Sequence, residues 1–154
     1  CPKPVSVSGQ TYETIGATPG HVGQFGTWDH KTYDVEDFAT ALVRFDNGAT
    51  MMIESAFCVD IDKNRFGCDV VCDAGGVSID PLAVRMEIGG HISDCEPAHL
   101  PGKVVTHHES VAAFIDAIAS GKKNPIPGDE IIWIQKIIDG IYTSAERGKE
   151  IAIK

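Results

Sequence analysis

Between Trp28 and Asp37 the chain reads Trp-Asp-His-Lys-Thr-Tyr-Asp-Val-Glu-Asp, a denser run of reactive side chains than any other segment. Trp, Tyr and His combine a flat face with a polar edge, so they can stack on a polyol and hydrogen-bond to it, while carboxylates accept hydroxyl protons. Trp28, Asp29, His30, Tyr33 and Asp37 are therefore the candidate ligand-facing residues, forming one wall of a site for a small hydroxylated molecule. The same run also reads as a solvated acidic connector with Trp28 and Tyr33 packed downward. Ligand-facing groups tend to sit on loops carried by a rigid sheet, so the flanking elements bear on the choice.

Elsewhere the reactive residues have plainer readings. His107 and His108 are adjacent just before an expected helix, where capping or surface roles suffice; neighbours diverge in direction and make poor joint metal ligands. Cys68-x-x-x-Cys72 is one residue too long for a zinc knuckle, and in a strand its two thiols point to one face, as ordinary buried thiols. The sequence holds no G-x-G-x-x-G, no G-x-x-x-x-G-K-S/T and no G-x-S-x-G. It thus carries neither a recognised phosphate cradle nor a hydrolase elbow. No catalytic, cofactor-binding or metal-ligating residue is assigned.

The elements that would hold the Trp28–Asp37 run can be read from periodicity. Val5–Tyr12 alternates apolar and polar residues as a half-buried strand does. Gly16–Gly26 has no periodicity and is a loop. Asp37–Phe45, Asp46-Asn47-Gly48 and Ala49–Phe57 read as two strands around a tight turn, since Asn-Gly takes the positive φ that hairpins need. Short strands are expected at Phe66–Cys72, Val77–Ile79, Val84–Ile88 and His91–Asp94, with Gly75-Gly76 and Gly89-Gly90 as turns. After His108, Val111, Phe114, Ile115 and Ile118 repeat at helical spacing up to Gly121. A second helix starts near Asp129, with Ile131, Ile134, Ile138, Ile141 and Ala145 along one stripe. Glu150–Ile153 reads as a closing strand. Strands followed by helices predict an α+β fold: an open, mostly antiparallel sheet with helices packed on one face, in a single domain over residues 1–154.

Composition narrows the function classes. Lys plus Arg number 13 against 22 Asp plus Glu, a net charge of −9. Such a chain repels phosphate backbones and anionic membrane surfaces, which argues against nucleic-acid or membrane partners. Its apolar runs are too short to span a bilayer. Five Cys is an odd number and no disulfide framework, which fits a reducing, cytoplasmic compartment. A chain beginning at Cys1 could be a lipidated extracytoplasmic protein, but Pro2 leads straight into a strand without a tether. The plainer reading is a piece of a longer polypeptide.

The order Pro4-Val-Ser-Val-Ser-Gly, Asp34-Val-Glu-Asp-Phe-Ala-Thr-Ala-Leu-Val-Arg-Phe-Asp-Asn-Gly-Ala, Gly75-Gly-Val-Ser-Ile-Asp-Pro-Leu, Phe114-Ile-Asp-Ala-Ile and Ile137-Ile-Asp-Gly-Ile-Tyr-Thr-Ser-Ala-Glu-Arg-Gly-Lys-Glu-Ile resembles the C-terminal domain of the Gfo/Idh/MocA oxidoreductases. The resemblance covers essentially the whole chain. It implies a parent enzyme with an N-terminal Rossmann domain that binds NAD or NADP, and a C-terminal domain that walls a sugar or polyol substrate. It also implies a homo-dimer or tetramer formed through the sheet. The family's catalytic Lys, Asp and His motifs all precede the region matching Cys1, so no catalytic residue carries over. Where the family often has G-T-K-G-G, this chain has Val71-Cys72-Asp73-Ala74-Gly75-Gly76. A binding or scaffold module without the cofactor half is the alternative reading.

Overall fold

The computed structural model describes residues 2–23, 26–63, 65–96, 99 and 106–154; Cys1, and with it the reading built on it, lies outside them. In chain order the elements are β1 (Pro4–Tyr12), β2 (Phe38–Phe45), β3 (Thr50–Ala56), β4 (Cys68–Cys72), β5 (Gly75–Ile79), β6 (Ala83–Ile88), β7 (His91–Cys95), α1 (Thr106–Ser120), α2 (Gly128–Arg147) and β8 (Ile151–Ala152). The α+β class and the antiparallel pairing are as the sequence predicts. The strands, however, form two sheets of four, in the orders β3-β2-β1-β8 and β4-β5-β6-β7. They fall in two compact units, one of Cys1–Asp60 with Ala113–Lys154, the other of Ile61–Ala112.

In the first unit, the β2–β3 hairpin closes as its sequence demands. The Gly48 amide donates to Phe45 O at 3.0 Å, and Phe45 N donates to Ala49 O at 2.9 Å. Only Gly48 takes positive φ here, at 86°, while the Asn47 side chain accepts the Ala49 amide at 3.1 Å. This is a type I turn followed by a left-handed glycine, one of the common hairpin solutions.

One face of this sheet meets α2. Val7 and Val43 are paired across β1 and β2 and completely buried, with Ile137 and Ile141 of α2 against them. Burying a side chain of this size contributes about 1.5–3 kcal/mol. The buried stripe of α2 is Ile137, Gly140, Ile141 and Ser144, whereas Ile131, Ile134 and Ile138 of the expected stripe are exposed. The reason is close approach. A Cβ on Gly140 would sit 2.6 Å from Val7 Cγ1, and one on Gly9 would sit 2.9 Å from Ile141 Cγ2. Small Gly140 and Ser144, together with apolar Ile137 and Ile141, make the face of this helix that docks. Acidic Asp129 and Glu130 in the first turn, Arg147 in the last and left-handed Gly148 beyond it suit the helix dipole and its end.

The second unit is an amphipathic sheet. Its register sets Val70, Val77, Val84 and Met86 on one face, together with Cys68 and Cys72, and Asp69, Ser78, Arg85, Glu87 and Asp94 on the other, where Val71 and Ile92 also lie. No described residue between 61 and 96 is buried. The two thiols share a face as expected but are exposed rather than buried, because no described layer covers them. The chain turns at Asp73-Ala74, not at the glycine pair, which instead opens β5. A Cβ on Gly75 would fall on the Arg85 carbonyl oxygen, so glycine is required by the neighbouring strand rather than by a turn. His107 and His108 lie in the first turn of α1, not ahead of it, and both are exposed. Among the described residues, no helix is long and apolar enough to cross a membrane.

Candidate functional site

All five candidate residues lie in the first unit, on the stretch that runs from the loop after β1 into β2. The structure gives them unlike environments. Asp37 has 2% of its surface exposed. Its Oδ2 accepts three backbone amides, Thr14 at 2.7 Å, Ile15 at 2.6 Å and Gly16 at 3.0 Å. Its backbone carbonyl accepts the amides of Phe57 at 2.9 Å and Cys58 at 3.4 Å. A buried carboxylate satisfied by three amides is an anchor for the loop, and its acceptor capacity on that oxygen is spent on the protein itself.

Trp28 and Tyr33 pack on the loop that Asp37 holds. The Trp28 indole N–H donates to Gly16 O at 2.7 Å. A Cβ on Gly16 would land within the Tyr33 ring, so the phenol lies flat against that glycine. Trp28, Tyr33 and Phe57 form a three-ring cluster, with centroid separations of 5.8, 5.6 and 6.5 Å. His21 approaches the indole at 6.1 Å. Aromatic pairs at such separations attract beyond their buried area. The cluster is half-open: Phe57 is 42% exposed, and Trp28 is only partly buried. His21, Phe57 and Gly16 were not singled out by sequence; a Gly-rich loop preceding an aromatic run was the one signal available.

The hydroxyl of Tyr33 is shielded from solvent and has no hydrogen-bond partner among the described residues. Burial, then the charges of Asp37, Cys58, Glu36 and Glu13, hold its pKa above the ordinary phenol value. The Cys58 thiol, buried beside the loop, is pushed up by burial and by Asp37 and Asp60. Asp29 is exposed, and its carboxylate accepts the Lys31 amide at 3.0 Å. His30 is half-buried. The arrangement is thus an aromatic surface with polar groups at its margin, rather than five convergent hydrogen-bonding side chains. Tyr142 of α2 donates to Glu36 Oε1 at 2.6 Å and ties the helix to the same stretch. That bond, then burial, raises the Tyr142 pKa.

No group of three or more His, Cys, Asp and Glu among the described residues could hold a metal ion. Neither helix start suits a pyrophosphate, since Glu109 stands in the first turn of α1, and Asp129 and Glu130 in that of α2.

Comparison with known proteins places the fold. No family model matches the chain. It is 26% identical over 149 residues to D-glucoside 3-dehydrogenase of Escherichia coli strain K12, covering 96% of this chain and 42% of that protein. It superposes on aldose-aldose oxidoreductase from Caulobacter crescentus, solved with glycerol, with a TM-score of 0.69 at 22% identity, covering 98% of this chain and 42% of the other. Levoglucosan dehydrogenase, solved with NADH and levoglucosan, gives a TM-score of 0.71 at 17% identity, with 98% and 45% covered. These likenesses bear out the resemblance to the C-terminal domain of the Gfo/Idh/MocA-type oxidoreductases. The chain spans less than half the length of each of these relatives.

Proposed function

We propose that this chain is the substrate-facing and assembly part of an NAD(P)-dependent oxidoreductase that acts on a sugar, a polyol or a related hydroxy compound. The observation that carries the reading is the similarity to D-glucoside 3-dehydrogenase along 96% of the chain. In the complete enzyme a hydride passes between the nicotinamide and a carbinol carbon, and the reactive groups come from a preceding Rossmann domain. This chain's own residues do not fit the cofactor: the acidic first turns of both helices repel a pyrophosphate. Its contribution is the surface of Trp28, Tyr33 and Phe57, with Asp29 and His30 at its margin. Asp37 acts behind that surface. The apolar face of the second sheet supports self-association as a dimer or tetramer, and the absence of a disulfide framework supports a cytoplasmic setting.

The test is steady-state kinetics in a polypeptide that includes the Rossmann half. Trp28→Ala and His30→Ala should lower kcat/KM for a sugar substrate by about tenfold or more while leaving cofactor affinity unchanged. Wild-type kcat/KM in both variants defeats the reading of this surface as a substrate wall. A non-enzymatic scaffold role would show as no turnover of any hydroxy compound with either nicotinamide cofactor.

A further inference from the structure

We propose that Asp37 and Gly16 are the positioning residues of the aromatic surface, acting as one device that sets the orientation of Trp28, Tyr33 and Phe57. Asp37 touches both walls of the surface from behind. Through its side chain it holds the amides of Thr14, Ile15 and Gly16. Through its backbone carbonyl it holds the amide of Phe57 at 2.9 Å. Gly16 then passes that placement forward. Its carbonyl receives the Trp28 indole N–H at 2.7 Å, and its bare Cα is the seat of the Tyr33 ring. One buried carboxylate and one glycine thus locate the Trp28 and Tyr33 rings, 12 and 17 residues from Gly16 in sequence (28 − 16 = 12, 33 − 16 = 17), while the main chain of residue 37 holds Phe57.

The chemistry explains why these two types are needed. An acceptor that takes three converging amides needs the charge of a carboxylate; an amide side chain offers one weaker carbonyl and a nitrogen that repels further donors. Any Cβ at residue 16 displaces the Tyr33 ring and breaks its contact with Trp28. The Trp28 indole N–H is consumed by Gly16, so the ring is left to present its face. A flat face recognises the C–H side of a sugar ring, and small tilts of that face cost binding and rate steeply, since displacement by about 1 Å can cost on the order of a hundredfold. The sugar ligand rests on the functional reading above; the positioning of the rings does not.

The experiment uses the 154-residue chain with Trp133→Phe, which leaves Trp28 as its one tryptophan, because the sequence holds two. Emission and near-ultraviolet circular dichroism of Trp28 are recorded for Asp37→Asn and Gly16→Ala, with far-ultraviolet dichroism as the check on folding. Both variants should keep the far-ultraviolet spectrum, shift Trp28 emission to the red and lose the near-ultraviolet band. In a polypeptide that includes the Rossmann half, methyl β-D-glucopyranoside serves as the probe ligand, and its dissociation constant should rise by about tenfold or more in each variant. Unchanged Trp28 spectra in folded variants overturn the proposal. Where both variants fail to fold, hydrogen exchange of the Trp28 indole N–H in the Trp133→Phe chain decides: strong protection by the Gly16 carbonyl supports the proposal, and exchange at the rate of a free indole overturns it. Spectra that shift as expected, with no glucoside binding even in a polypeptide that includes the Rossmann half, support the positioning and instead defeat the substrate reading.

Discussion

The Gly9 amide donates to the Ser144 hydroxyl at 2.9 Å, across 135 residues of sequence. The same hydroxyl donates to Lys149 O at 2.7 Å. The arrangement answers a need of the sheet. Strand β8 pairs with β1 at Ser6 and Val7, and beyond that point no strand among the described residues lies beside this edge of β1. A helix side chain completes the edge, and it does so at a residue that is 1% exposed. Buried backbone groups are nearly always satisfied in this way by whatever lies within reach.

Ser144→Ala should therefore destabilise the chain by about 0.5–1.5 kcal/mol, since two part-buried backbone groups lose their partner while little volume is lost. Ser144→Cys, which keeps the volume with a weaker donor, should fall between. Urea unfolding followed by far-ultraviolet dichroism measures both, and a loss below about 0.5 kcal/mol for the alanine variant would show the bond to be dispensable.

Gly140→Ala opposes two effects. Helix propensity favours alanine by about 1 kcal/mol, whereas the new methyl would press on Val7 Cγ1 at 2.6 Å in a packed core. Overpacking costs about 1–3 kcal/mol, so the variant should be destabilised on balance. Val7→Ala makes the missing room. In a double-mutant cycle the pair should couple favourably by about 0.5–3 kcal/mol, and additive effects would contradict the contact.

The titration of Tyr33, Cys58 and Tyr142 gives a pH dependence with a definite sign. All three have folded-state pKa values above the ordinary 10.0, 9.0 and 10.0. Below those values the groups are neutral in both states and contribute no slope. Above them the unfolded chain loses its protons first, so it binds fewer protons than the folded chain and stability falls as pH rises. Unfolding free energy should decline from pH 9 upward, and Tyr33→Phe should flatten part of the decline above pH 10. Denaturation midpoints measured across that range would expose an unchanged slope in the variant, which would contradict a shifted Tyr33.

Self-association should depend on the second sheet more than on the first. The outward set of the first sheet, Ser8, Gln10, Thr40, Leu42, Met52 and Glu54, is mixed in character. The apolar set of the second sheet carries exposed Val70, Val77, Ile79, Met86 and Ile88. Contiguous apolar patches beyond a few hundred Å² mark interfaces. Sedimentation of the chain should show assemblies that Met86→Lys with Val77→Lys dissociates, and a wild-type monomer at high concentration would rule the surface out as an interface of this chain.

The local elements were legible in the sequence because their causes are local. Alternation in Val5–Tyr12, the turn chemistry of Asn47-Gly48 and the helical spacing after His108 all act within a few residues. The density of chemistry between Trp28 and Asp37 was legible for the same reason. The order of segments along the whole chain further pointed to the C-terminal part of an oxidoreductase, and the comparisons agree.

What the tertiary structure alone decided are the relationships set by close approach and by competition for partners. Asp37 and Tyr33 looked equivalent as ligand-facing groups, yet amides 21 to 23 residues away claim the Asp37 carboxylate. The docking face of α2 was legible only at Ile141, because Gly140 and Ser144 carry no apolar signal, although they let the helix touch β1. The division into two sheets was equally hidden, since a strand's alternation says which side chains share a face but not which edge its backbone will find. Periodicity reports on burial residue by residue; partners far apart in the chain are chosen only when the folded surfaces meet.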